Sequence, residues 1–289
     1  MEQCIVIKYW RCFFLSQLLW LLPACTAPSF SELLAAADTI GNDAGFSRQA
    51  IDGGQFSLVS YQKIQSDSQE LTVYIEGDGK SLITRTRVSL NPTPHNPLGL
   101  KLAAADTVND NVIYLGRPCH FIATGADPEC NPKYWTRYGY SADVVASLST
   151  ALDQLKADHG FTRINLVGFS GGGALVMLLA AKRDDITTIR TVAGNLDVAA
   201  FTQYHKVSPM SGSLNPADFT DKVQAIPQRH FIGSEDYVVP PQIGHSYLSQ
   251  AEKTACISLR VIEGATHLSG WLQSWPEYLR EPVVCKQRP

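Results

Sequence analysis

Ile164-Asn165-Leu166-Val167-Gly168-Phe169-Ser170-Gly171-Gly172 is the stretch from which the rest of this chain can be read. Residues 164–167 have the pattern of a short, fully buried strand, and the apolar segment 171–182 reads as a helix. Only Gly-Phe-Ser-Gly-Gly separates them, a GxSxG arrangement set between strand and helix. So sharp a turn needs small residues at 168 and 172, because strand and helix cross closely there. It pushes the Ser170 hydroxyl out at the carboxyl edge of the sheet, where open α/β sheets bind ligands. A phosphate-binding turn is the competing reading. It lacks the lysine of a P-loop, and no acidic ribose-binding residue follows at the usual distance.

Outward from this turn the chain alternates. Upstream, residues 46–51 and 55–64 read as strands joined by the hairpin signal Asp52-Gly53-Gly54. Residues 71–76 form an apolar, β-branched strand, 78–97 a long loop, 97–106 a helix and 111–115 a strand. The stretch 116–140 is irregular. Residues 141–159 show helical spacing, with Ser141 as N-cap and Gly160 as stop. Downstream, strands are expected at 189–193, 230–232 and 256–262, and helices at 241–253 and 269–279. Segment 195–228 reads as mostly loop, with a weak helix near 216–225. Its apolar helical pattern is too slight for a large hydrophobic lid, which disfavours interfacial lipase behaviour. Strands alternating with helices from residue 71 on predict an α/β fold. Its sheet is mostly parallel with helices on both faces, and it is entered through an N-terminal antiparallel hairpin.

The whole chain has 289 residues, 24 Lys+Arg against 27 Asp+Glu, and a formal net charge of −3. A hydrophobic fraction of 45% excludes a disordered chain. The mildly acidic balance leaves no electrostatic footprint for nucleic acid. At the N-terminus, Lys8 and Arg11 precede an apolar run at 12–22, too short for a membrane span and suited to a signal-peptide core. Leu22-Pro23-Ala24-Cys25 resembles a bacterial lipobox. Residues 1–24 are therefore expected to be a lipoprotein-type signal, with Cys25 acylated as the first mature residue. Plain secretion with cleavage near Ala24 or Ala27, and an uncleaved anchor, are the alternatives. Residues 25–45 then form a linker or short helix, and 46–289 the folded domain. The expected location is the bacterial cell envelope, lipid-anchored with the domain in the periplasm. Cys119, Cys130, Cys256 and Cys285 remain, an even number in an oxidising setting. Local pairing gives Cys119–Cys130 and Cys256–Cys285. No CxxC spacing points to zinc, and neither a metal nor an organic cofactor is implied.

A serine hydroxyl is a poor nucleophile and needs a base, itself oriented by a carboxylate. After a serine in this setting the acid and then the histidine follow along the chain. His267 stands in Glu263-Gly264-Ala265-Thr266-His267, just past the last expected strand, where a base is needed. His230 begins a strand and reads as structural, and His205 and His245 as surface residues. Asp236, in the loop after the preceding strand, is the favoured acid, with Glu235 and Asp197 as rivals. An oxyanion hole needs two backbone N–H groups aimed at one point. Gly171 supplies one. Gly77-Asp78-Gly79-Lys80 supplies the other, from Asp78 or alternatively Gly79, with the Asp78 side chain expected to turn away from the developing charge.

These motifs, GFSGG at 168–172, GSEDYVVP at 233–240, GATH at 264–267 and EGDG at 76–79, resemble those of the α/β-hydrolase superfamily over residues 46 to about 280. Glu76 departs from the pattern, standing where many members carry His. The chain is also similar to uncharacterised bacterial envelope hydrolases. The resemblance implies a serine hydrolase acting on a small-molecule or acyl substrate. An ester is the first expectation, with a peptidase or amidase on the same triad, or a non-catalytic binding module, as alternatives. Around the site, Phe121, Tyr134, Trp135 and Tyr138 are candidates either to wall the pocket or to pack on the body. Arg85 and Arg87 either clamp an anionic group or face solvent, and Trp271 and Trp275 belong to the core.

Overall fold

A computed structural model describes residues 27–286. The expected leader and Cys25 lie outside the described residues. Eight strands, β1 (Ser47–Asp52), β2 (Ser57–Ile64), β3 (Glu70–Ile75), β4 (Asn111–Leu115), β5 (Arg163–Phe169), β6 (Ile186–Val192), β7 (Gln228–Gly233) and β8 (Ile257–Ile262), form one sheet. Its order is β1-β2-β4-β3-β5-β6-β7-β8. β2 runs antiparallel to both β1 and β4, and every other pairing is parallel. From β3 the chain crosses to β4 on one side and then to β5 on the other, so the carboxyl ends of β3 and β5 lie side by side, with Ile75 opposite Gly168. That register brings the loop after β3 against the turn after β5.

Among the described residues eight α-helices accompany the sheet: α1 (Phe30–Asp43), α2 (Leu98–Ala104), α3 (Ala142–His159), α4 (Gly171–Ala180), α5 (Val198–His205), α6 (Thr220–Val223), α7 (Pro241–Gln250) and α8 (Trp275–Arg280). Residues of β3 alternate between the two resulting layers. Leu71, Val73 and Ile75 join the core of α3 and α4, while Tyr74 joins that of α2, Trp271 and Trp275. Burial on both faces explains why β3 and β4 read as continuous apolar runs rather than alternating ones. Every residue of α4 is buried, so it too lacks a polar face. Side chains cannot be added where α4 leaves β5. A Cβ at Gly168 would fall 2.4 Å from the Gly172 carbonyl oxygen, and one at Gly172 would fall 2.2 Å from that of Ile75.

The helix that was one of the two expectations for residues 25–45 is α1, 14 residues long and opened by a capping box between Ser29 and Glu32. Its Gly41 lies under the Tyr61 ring. Segment 195–228 carries α5, which the sequence did not suggest, beside the weak helix expected near 216–225, present as a 3-10 turn at Pro216–Phe219 followed by α6. α5 begins on Asp197, whose carboxylate accepts from the Ala200 N–H at 3.0 Å, and Ala217 and Val223 enter the core. The expected helix 269–279 shrinks to α8, because Pro276 is tolerated only in a first turn. Residues 269–274 instead wrap back, and the Trp271 indole N–H donates to the Thr266 carbonyl at 3.0 Å. Trp271 and Trp275 are core residues as expected. The cysteines pair as expected, Cys119 with Cys130 and Cys256 with Cys285.

His230 lies inside β7 with its ring nitrogens 2.9 Å from Thr191 Oγ1 and 2.9 Å from Gln228 Oε1. Burial pushes its pKa down to about 3. Burial, then the Arg117 charge, also holds His120 well below the ordinary value. Both stay neutral in the fold and become protonated on unfolding below pH ~6.5, so stability falls as pH drops from there toward the folded-state values. His230 contributes a loss of about 2 kcal/mol by pH 5, and His120 acts in the same direction. Denaturant midpoints between pH 7.5 and 5 should show this loss, smaller in His230→Gln.

Candidate active site

Ser170 occupies the turn between β5 and α4 with φ 51° and ψ −119°. A non-glycine residue there is strained, and such strain persists only where surrounding structure over-determines it. Two backbone bonds supply the constraint. The Ser170 N–H donates to Val192 O at 3.0 Å, and its carbonyl accepts from Asn195 N–H at 2.9 Å. The hydroxyl meets His267, with Oγ 3.0 Å from Nε2. The other ring nitrogen, Nδ1, lies 2.8 Å from Asp236 Oδ2. Asp236 Oδ1 accepts from the N–H groups of Val238 and Val239, both at 2.8 Å. The buried acid is thus held by its own loop, with one oxygen left for the imidazole. Phe169 packs against the ring of His267 at 5.1 Å between centroids, and Trp271 holds the loop carrying it from below.

The sequence rivals lie elsewhere. Asp197 caps α5 and accepts from Ser246 Oγ at 2.6 Å. Glu235 is exposed. His205 Nε2 lies 2.8 Å from the Val238 carbonyl, and His245 is exposed on α7.

Asp78 requires a correction. Its side chain does not turn away: the carboxylate lines the cavity and rests against Gly171, where an added Cβ would fall 2.3 Å from Oδ1. The cause is Arg117. This guanidinium is buried, pairs with the Asp78 carboxylate and donates to Gly139 O at 2.8 Å. The Tyr140 hydroxyl lies 2.9 Å from both Asp78 oxygens. Burial, then the Asp78 charge, raises the Tyr140 pKa well above its ordinary value, so it stays a protonated donor. Arg117→Gln leaves the Asp78 carboxylate without its cation. It should lower stability by about 1–3 kcal/mol in thermal unfolding, with part regained in Asp78→Asn/Arg117→Gln.

Glu76 points inward. It accepts from Gly77 N–H at 2.9 Å, Gly99 N–H at 3.1 Å and Tyr114 Oη at 3.1 Å, tying the loop after β3 to the start of α2. Burial raises its pKa, opposed by those donors. Together these loops border a cavity of about 330 Å³ lined by Ser170, His267, Lys80, His95, Val238 and Leu268 among others. Of the aromatics expected to wall it, Phe121, Tyr134 and Trp135 are buried in the core and Tyr138 packs on it. Arg85 and Arg87 are exposed and line no part of it. Sequence reading missed Arg117 and Tyr140. Nothing local marks either, since both matter only through Asp78. Among the described residues no cluster of His, Cys, Asp and Glu is arranged to hold a metal ion.

No family model matches the chain, and no curated protein matches it in sequence. Solved structures do match its fold. An esterase from Pyrococcus furiosus is 15% identical, with a TM-score of 0.58 over 82% of this chain and 89% of the esterase. An α/β serine hydrolase without a lid, from Xanthomonas campestris, is 14% identical, with a TM-score of 0.54 over 81% of this chain and 92% of that one. A puromycin-hydrolysing peptidase from Mycobacterium tuberculosis is 16% identical, with a TM-score of 0.56 over 81% of this chain but 37% of the peptidase. At such identities the likeness speaks for architecture and not for chemistry, and on that footing this chain has the α/β-hydrolase fold.

Proposed function

We propose that this protein is a serine hydrolase that cleaves a carboxylic ester through an acyl-enzyme intermediate. The observation that carries the reading is the unbroken line of hydrogen bonds from Ser170 Oγ through His267 to Asp236. In the reacting tautomer Nδ1–H donates to Asp236, leaving the Nε2 lone pair to accept the serine proton. The Ser170 oxygen bonds to the carbonyl carbon, and the carbonyl oxygen takes the negative charge. The N–H groups of Gly171 and Asp78 receive that charge. Arg117 neutralises the nearby Asp78 carboxylate, which would otherwise oppose it, and the Tyr140 hydroxyl donates to it. Collapse expels the alcohol, protonated from Nε2, and water repeats the sequence to release the acid. No step in this route calls on a metal or an organic cofactor.

The neighbours include esterases and a peptidase, so cleavage of an amide by the same residues is the second reading. The two disulfides support an exported protein, and we place it in the bacterial envelope, anchored through acylated Cys25. An activated phosphonate tests the chemistry: it should label the protein at Ser170 and block turnover. A panel of nitrophenyl esters set against aminoacyl amides separates the two readings. Absence of labelling and of turnover on every substrate would leave a binding module with the hydrolase fold.

A further inference from the structure

We propose that the rim of the Ser170 cavity is a docking surface for an anionic phospholipid bilayer, with the hairpin of residues 81–89 at its tip. The first observation is one of charge. From Gly79 to Ala105 the chain has no Asp or Glu, yet it carries Lys80, Arg85, Arg87 and Lys101, in a protein whose formal net charge is −3. Cations gathered in one segment of a mildly acidic chain give a local field of one sign.

The second observation is the shape of that segment. Leu82 bridges Val88, the Ile83 N–H donates to Arg87 O at 2.8 Å, and the Ser89 N–H donates to Ser81 O at 3.0 Å. The turn at its end is Thr84-Arg85-Thr86-Arg87, where the Arg87 N–H donates to Thr84 O at 3.3 Å. The base is fastened to the body. The Trp135 indole N–H donates to Ser89 O at 3.1 Å, and the Asn91 side-chain amide donates to Ile122 O at 2.9 Å. The projecting part buries little. Leu82 and Ile83 are each 43% exposed, Leu90 is 77% exposed, and Arg85 and Arg87 are exposed as well. Neither arginine has an ion-pair partner among the described residues.

The third observation is location. Both flanks of the hairpin, residues 78–80 and 94–96, line the cavity. The loops carrying Asp236 and His267 add apolar side chains to the same mouth. Val238 and Leu268, both cavity-lining, are 48% and 50% exposed, and Tyr237 beside Val238 is 79% exposed. Glu235 is the one exposed acid in that loop. Scattered exposed apolar residues need no explanation, but large ones on three loops around one mouth do. Apolar side chains interleaved with unpaired cations match the interface of an anionic bilayer, which offers acyl chains and headgroup charge together. Such docking lies on the surface and needs no spanning helix; none of the described helices is long and apolar enough to span. It differs from lid-driven activation, since segment 195–228 is packed into the body. Docked this way, the mouth opens onto the lipid phase.

The test is hydrogen–deuterium exchange on the full chain with vesicles of phosphatidylglycerol and phosphatidylcholine, compared with phosphatidylcholine alone. Backbone amides of residues 81–90 and 237–238 should slow on the anionic vesicles only, and the protection should vanish in 1 M salt, where screening is nearly complete. Arg85→Ser/Arg87→Ser, checked to unfold at the wild-type temperature, should need about 30-fold more anionic lipid for the same protection. Localising the readout to the rim separates this surface from any lipid contact made by the N-terminal segment. The proposal is overturned if these amides exchange at the same rate with and without anionic vesicles, even where the chain sediments with them. Equal protection on neutral vesicles, or an unchanged lipid requirement in the double variant, also overturns it. The readout is binding alone, so it stands or falls separately from the hydrolytic reading.

Discussion

Ser170→Ala should abolish hydrolysis, lowering the turnover of a nitrophenyl ester by on the order of 10⁵- to 10⁶-fold and removing all phosphonate labelling. The substitution deletes one oxygen and leaves Cβ in place, so the strained turn between β5 and α4 keeps its shape. The fold loses a single hydrogen bond, to His267 Nε2, and the melting temperature should move by no more than a few degrees. This contrast makes the experiment decisive. A residue that served only the fold would show its cost in stability, whereas a nucleophile shows it in rate. Turnover that survives in the variant at a few per cent of wild type would move the attacking group elsewhere and end the proposed mechanism.

Asp236→Asn carries the second largest effect, a drop in kcat of roughly 10⁴-fold with little change in KM. The reason lies in how the carboxylate is held. Oδ1 is occupied by the N–H groups of Val238 and Val239, and only Oδ2 faces the imidazole. An asparagine must place its carbonyl oxygen toward those two donors, which turns its NH₂ toward Nδ1. Nδ1 must then accept, so the ring proton moves to Nε2, the atom that has to be bare to take the serine proton. The distances barely change and the tautomer is wrong. A fall of less than tenfold would show that Asp236 only anchors its loop, a cap-like role open to any Asp after a strand. Because neither variant disturbs Arg117 or the hairpin of residues 81–89, neither bears on the lipid surface.

Local chemistry made the centre of the molecule readable. Glycines at 168 and 172 are required within a few residues of the serine at the tip of the turn, so the turn announces itself in five letters. The alternation of strands and helices follows from periodicity in the same way. The errors arose where a local signal was present but outweighed. The stretch 269–279 reads as one helix, but Pro276 confines it to its last part. Asp197 reads as a rival acid from its place past a strand, yet it begins an eight-residue helix as its N-cap. The direction of the Asp78 side chain has no local signal, because the ion pair that sets it comes from Arg117, 39 residues along the chain.

The sequence by itself determined the architecture and the places of Ser170, Asp236 and His267 just past the ends of three strands, since each depends on residues within one turn or one strand. Only the tertiary structure decided that the hydroxyl at 170 and the imidazole at 267 meet at 3.0 Å, with Asp236 behind them. It likewise decided that a buried guanidinium reaches across to the Asp78 carboxylate, and that three loops leave apolar side chains around one mouth. The physical reason is the range over which each is set. Backbone sterics and hydrophobic period act between near neighbours, while the partners of a charge or a hydroxyl are chosen by which strand ends the sheet order brings together.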